Sequence, residues 1–214
     1  MIEIRRLSKA YGSNQVLRSI DLSVAPGEFL AVLGQSGAGK STLLRCLNRL
    51  VQADDGELRV AGHDVMLAGN ERALRRQVAM IFQHHHVVPR LSVLKNVLTG
   101  RLGSVSTFAS LMQLFRSSDV ALAHQCLERV GLAHKAAARS DSLSGGQLQR
   151  VGIARALAQQ PSLILADEPI ASLDPQTAVQ VLTCLRESAR ALGITVLCNL
   201  HQIDHARAFA DRIV

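Results

Sequence analysis

An α/β fold is predicted: a mainly parallel core sheet, an N-terminal antiparallel β part and a helical subdomain. Three observations predict it. The short apolar runs "FLAVL" and "LILA" and the mostly apolar "ITVLCNL" each lead into a glycine or a polar residue, as buried parallel strands do. The N-terminal part instead alternates apolar and polar residues around the turn signals "YGSN" and "APGE", which reads as antiparallel strands. From His84 onward the pattern becomes helical, with Val120, Ala123, Leu127 and Val130 on one face. Strands alternating with helices imply a sheet covered on both faces, with ligand at the strand C-terminal ends.

Taken in order, "GELRVAGHDV" adds a short β stretch after the antiparallel part, and "QVAMIF" is a further strand candidate. Asp119 is the expected N-cap and Gly131 the expected C-cap of the helix bearing Val120 to Val130. Pro175 opens a helix at its first position, with Ala178, Val181, Leu182, Leu185, Ala189 and Leu192 as its apolar stripe and Gly193 as its stop. The whole chain, residues 1–214, is read as one domain, in which 1–83 and 158–214 form the core with its antiparallel part and 84–157 the helical subdomain.

Composition excludes several classes. The 214 residues are 48% hydrophobic, enough for a sizeable core. No apolar run reaches membrane-spanning length, and "MIEIRRLSKAYG" lacks a secretory signal's apolar stretch, so a cytosolic chain is expected. Cys46, Cys126, Cys184 and Cys198 are scattered without a CxxC pair, which points to buried reduced thiols rather than zinc or disulfides. The net charge of +7 is dispersed among acids and alanines, and aromatic content is 3%, which disfavours nucleic acid. Arg72, Arg75 and Arg76 form the one tight basic group, read as a solvated helix face.

The chemistry sits in the glycine-rich turns. "GQSGAGKST", Gly34, Gln35, Ser36, Gly37, Ala38, Gly39, Lys40, Ser41 and Thr42, lies between an apolar strand and an amphipathic helix. It fits the P-loop, in which backbone N–H groups wrap phosphates, Lys40 reaches the β/γ oxygens and the Ser41 hydroxyl can ligate Mg²⁺. "LILADE" supplies Asp167 at a strand end, to hold Mg²⁺ through water, and Glu168, to act on the attacking water as general base. Gln83 follows "QVAMIF" and can touch both metal and water; His201 follows "ITVLCNL" and can donate to a γ-phosphate. Tyr11, the only tyrosine, is a candidate adenine platform. "LSGGQ", Ser144, Gly145, Gly146 and Gln147 after Leu143, opens a helix, where unpaired N–H groups and the dipole suit an anion. Average residue usage produces that pentamer by chance in a chain this long on the order of a few times in ten thousand, so it is treated as a site.

Together these residues resemble the ATP-binding subunit of ABC transporters along essentially the whole chain. The resemblance makes Tyr11 the adenine stacker, "GQSGAGKS" Walker A, Gln83 the Q-loop glutamine, "LSGGQ" the signature, "LILADE" Walker B, Ser172 to Asp174 the D-loop and His201 the switch histidine. It implies a RecA-like core, ATP with Mg²⁺, and a signature that acts in trans: Ser144, Gly145, Gly146 and Gln147 close over nucleotide held by a second copy's P-loop. It further implies two transmembrane permease subunits, an indirect solute-binding protein outside the membrane, and a peripheral position on the cytoplasmic face of the inner membrane. "VPRLSVLKNVLTGRLG", "ILADEPIASLDPQTA" and "ITVLCNLHQID" are similar to the ATPase of phosphonate importers, some members of which handle phosphite or similar anions. The alternatives are the ATPase of another importer, or a non-transport ABC-type ATPase attached to a soluble phosphonate-metabolism assembly.

Two features depart from the family pattern. His84, His85 and His86 stand where relatives carry glutamine and an aromatic; adjacent side chains do not converge on one ion, so altered contact with a membrane subunit is expected rather than a metal site. The sequence also stops at Val214, where the resemblance implies a further strand and tail.

Overall fold

The computed structural model describes the chain except for Ser36, His85, Thr107, Ala109, Leu111 and Gln113. Packing divides it into two compact units, residues 1–80 with 162–168 and 189–214, and residues 81–161 with 169–188.

The first unit holds two sheets. In the antiparallel sheet, β1 (Ile2–Tyr11) lies between β2 (Asn14–Val24) and β4 (Asp55–Val60), with β5 (His63–Asp64) outside β4. Ile2 pairs with Val24 on one side and Val60 on the other, and Ile4 with Leu22 and Leu58, so alternate residues face the core as the alternation predicts. The register slips between Ile4 and Leu7, where Arg6 takes a φ of 48°. At this bulge β4 passes so close that a Cβ on Gly56 would stand 2.6 Å from the Arg6 carbonyl oxygen.

The second sheet has the order β6 (Val78–Ile81), β7 (Leu163–Asp167), β8 (Thr195–Leu200), β3 (Phe29–Leu33), β9 (Arg212–Ile213). β3, β7, β8 and β9 are parallel, and every residue of β7 and β8 is buried, which explains their continuous apolar runs. Leu43, Leu44, Cys46 and Leu47 of α1 (Lys40–Leu47) join one core cluster with Ile4 and Leu58 of the first sheet and Leu165 and Leu197 of the second. Residues near the C-terminus form the edge strand: Val214 N–H donates to Ala31 O at 3.0 Å, Phe29 N–H donates to Asp211 Oδ2 at 2.8 Å, and Arg212 Nε pairs with Glu28 Oε1 at 2.6 Å.

Arg72, Arg75 and Arg76 are exposed on α2 (Glu71–Gln77), but the group is not merely solvated. Arg75 Nη2 donates to Arg49 O at 2.8 Å and its Nε to Asn48 O at 3.4 Å, which satisfies carbonyls at the end of α1.

The second unit contains α3 (Val93–Leu98), α4 (Ser117–Arg129), α5 (Gly145–Ala158) and most of α6 (Pro175–Leu192); α7 (Ile203–Phe209) belongs to the first. Asp119 is not the N-cap of α4. That helix starts two residues earlier, and Asp119 sits in its first turn, accepting from Arg116 N–H at 3.3 Å and pairing with Arg101 Nε at 2.8 Å. Gly131 follows the helix with φ of 69°. Pro175 is the first residue of α6, and its apolar stripe is buried except Leu192, which is exposed because it is the last residue of the helix. Cys46, Cys126 and Cys198 are buried and Cys184 half-buried, all as free thiols. Among the described residues, no helix is long and apolar enough to cross a membrane.

Candidate functional site

Three strands of the parallel sheet end side by side, and each delivers chemistry at its C-terminal end. β3 leads through Gly34 into the glycine-rich loop, β7 ends in Asp167 with Glu168 next, and β8 leads to His201. This is where open parallel sheets bind ligands.

The loop is shaped by its glycines. Gly39 caps α1 with φ of 90°, and a Cβ there would come 2.9 Å from Val16 O, so neither the angle nor the space suits another residue. Ala38 N–H donates to Gln35 O at 3.2 Å, closing the turn. Lys40 is only 7% exposed, and its Nζ donates to Gly34 O at 2.6 Å and Gln35 O at 3.0 Å. Among the described residues it makes no ion pair. A buried ammonium satisfied only by its own loop's carbonyls fits a site that receives an anion. Thr42 follows within α1; Ser36 lies outside the described residues.

Ser41 Oγ donates to Asp167 Oδ1 at 2.8 Å, so the α1 start and the β7 end are joined at one carboxylate oxygen. Asp167 is 6% exposed. A hydroxyl and a buried carboxylate in contact are the oxygen ligands that a hard divalent cation such as Mg²⁺ takes, directly or through water. The structure adds a group that sequence reasoning missed: Asn199 of β8, 0% exposed, donates from Nδ2 to the same Asp167 oxygen at 2.8 Å. Its one signal is a polar residue inside "TVLCNL", an otherwise apolar buried run.

Glu168 leaves β7 with φ of 50°, a left-handed conformation costing on the order of 1 kcal/mol for a non-glycine residue. That turn takes its carboxylate off the strand line, and Glu168 Oε1 lies 2.6 Å from His201 Nε2. The first unit thus brings Lys40, Ser41 and Asp167 together, and Glu168 with His201. Tyr11 ends β1, 48% exposed, with the Lys9 ammonium 5.4 Å from its ring centroid. Asp54 anchors this end of the strand: its Oδ1 accepts from Lys9 Nζ at 2.6 Å and its Oδ2 from Ala10 N–H at 2.7 Å. The Lys9 ammonium and that N–H hold the Asp54 carboxyl below the usual carboxylate range.

The remaining predicted residues belong to the second unit. Gln83 is exposed just beyond β6. His84 is exposed, His86 stacks edge-on against Phe82 at 4.8 Å, and His85 lies outside the described residues. Ser144 caps α5: its Oγ accepts from Gln147 N–H at 3.4 Å, while Gln147 Oε1 accepts from Ser144 N–H at 3.1 Å. Gly145 and Gly146 are the first two residues of the helix, as expected. A Cβ on Gly146 would collide with Thr177 Cγ2 at the start of α6, and one on Gly145 would touch Leu173 Cδ2 at 3.5 Å.

Comparison with known proteins places this geometry among others. The sequence pattern of the family described as ABC transporter matches residues 17–171. The chain is 51% identical to a phosphonates import ATP-binding protein of Halalkalibacterium halodurans, over all of this chain and 84% of that one. It is 53% identical to a phosphite import ATP-binding protein of Stutzerimonas stutzeri, over all of this chain and 78% of that one. Among solved structures it is similar to a dimeric ATP-binding cassette in a post-hydrolysis state bound to ADP and Pi, with a TM-score of 0.85 and 31% identity over 100% of this chain and 93% of that one.

Proposed function

Because the chain belongs to the ABC transporter family, we propose that it is the ATP-hydrolysing subunit of an importer for phosphonate or a related phosphorus oxyanion, working as an ATP-sandwich dimer. The observation that carries the ATPase reading is the junction of Lys40, Ser41 and Asp167 beside the Glu168–His201 contact, all at the C-terminal edge of one parallel sheet. The substrate class rests on the names of the two relatives, which import phosphonates and phosphite.

The loop's backbone N–H groups and the Lys40 ammonium bind the triphosphate, with Lys40 exchanging its carbonyl partners for β/γ oxygens. The Ser41 hydroxyl, the Gln83 amide and, through water, Asp167 would hold Mg²⁺, which supplies charge neutralisation of the phosphate oxygens. Glu168 accepts the proton of the attacking water as the water oxygen bonds to the γ-phosphorus and the bond to the β-phosphate oxygen breaks. His201, already against Glu168, donates to the γ-phosphate oxygens and keeps the glutamate oriented. Tyr11 stacks on adenine. The chain carries one P-loop and one signature, so Ser144, Gly145, Gly146 and Gln147 complete the site of a second copy. Closure on ATP and opening after hydrolysis then drive two transmembrane permease subunits from the cytoplasmic face, with a solute-binding protein acting on the far side.

Steady-state ATPase assays of purified variants test the catalytic part. Glu168→Gln should lose about 100-fold or more in turnover while still binding ATP, and Lys40→Ala should lose nucleotide binding or turnover. A Glu168→Gln protein with full activity would remove the general-base role. For the substrate, ATPase of the complete transporter in proteoliposomes should rise with a phosphonate or phosphite at the binding-protein side and not with sulfate; stimulation by sulfate alone would reject the class.

A further inference from the structure

We infer that Asn199 is a positioning residue that fixes the Asp167 carboxylate in the orientation it would need to hold a metal. The inference rests on the reading of Asp167 as the metal carboxylate. Asn199 is fully buried in β8, directly opposite Asp167 in the parallel register. Its Nδ2 donates to Asp167 Oδ1 at 2.8 Å, but its own Oδ1 is buried without a hydrogen-bond partner. Burying an amide oxygen unpaired is costly, and an aliphatic residue would avoid that cost in this apolar strand. What the amide adds is the bond to Asp167.

That bond and the Ser41 hydroxyl both fall on Oδ1, which leaves Asp167 Oδ2 with no protein donor among the described residues. Were the Ser41 hydroxyl to turn to an ion, Asn199 would be the donor that still fixes the carboxylate. Outer partners of this kind set the orientation of metal-binding groups and alter metal affinity when removed. The same strand end serves the neighbouring acid, since His201, two residues on, lies 2.6 Å from Glu168 Oε1. The end of β8 and the residue after it therefore contact both acids at the end of β7 in succession, Asp167 through an amide and Glu168 through an imidazole.

The test is the Mg²⁺ dependence of nucleotide binding by the full chain, followed with a fluorescent ATP analogue in EDTA and across a Mg²⁺ titration. Asn199→Leu keeps the bulk and removes the donor, and Asn199→Val serves if leucine overpacks. Either variant should raise the Mg²⁺ concentration giving half the metal effect about 10-fold and leave affinity in EDTA within about twofold. An unchanged Mg²⁺ midpoint, or an equal loss of affinity in EDTA, overturns the positioning role. Asp167→Asn separates the two layers: if it leaves the Mg²⁺ response intact, the reading of Asp167 fails, whereas if it abolishes the response and the Asn199 variants do not shift it, only the present inference fails.

Discussion

Lys40 is packed against the carbonyls of Gly34 and Gln35, and Glu168 adopts a backbone angle that few non-glycine residues take. Neither is explained by core packing, and both lie at the strand ends where we propose that phosphate is bound and cleaved. Tyr11 allows a test at the same scale, because the chain has one tyrosine and no tryptophan. If adenine stacks on it, ATP should change the tyrosine emission while inorganic triphosphate binds without doing so. An unchanged emission on ATP binding would remove Tyr11 from the base site. The charged and hydroxyl residues were legible in the sequence because their spacing reflects loop and strand-end geometry that few other patterns share. Asn199 was not: one amide in an apolar strand does not announce its partner, which depends on cross-strand register with residues 32 positions away. Glu168 and His201 were each legible as strand-end residues, but their direct contact was not.

At the scale of elements, the α5 start shows why "LSGGQ" has the composition it has. Ser144 and Gln147 cap the helix reciprocally, a pattern visible in sequence as Ser-x-x-Gln. Gly146 has a reason invisible there, since it is set by Thr177 of α6, far along the chain. Gly146→Ala should lower stability by about 1 kcal/mol or more, because the collision with Thr177 Cγ2 outweighs the better helix propensity of alanine. Adding Thr177→Ser removes that methyl and should restore the urea midpoint; a Gly146→Ala protein as stable as the wild type would contradict the close packing. Helix ends proved less legible than helix faces. α4 begins before Asp119 because that carboxylate is held by the Arg101 guanidinium and the Arg116 N–H within the first turn, and Leu192 lies beyond the buried part of its stripe. The β1 bulge at Arg6 likewise depends on the approach of β4 at Gly56, which strand alternation alone does not predict.

At the scale of the molecule, the alternation in β1 and β2 and the continuous runs of β7 and β8 separated the two sheets correctly, because a sheet buried on one face and a sheet buried on both leave different periods. The strand order did not follow from those periods; it arises from crossovers that place β8 between β7 and β3. That order sets Asp167, Asn199 and the glycine-rich loop next to one another. We propose that the glycine-rich loop of one copy and the Ser144–Gln147 helix start of another work together across two copies. Size-exclusion chromatography with light scattering on Glu168→Gln protein, with and without Mg-ATP, tests it most directly. The protein should be a monomer without nucleotide and a dimer with Mg-ATP, and the dimer should be lost when Ser144→Arg is added. A protein that binds ATP and stays monomeric, or a dimer indifferent to Ser144→Arg, would contradict it.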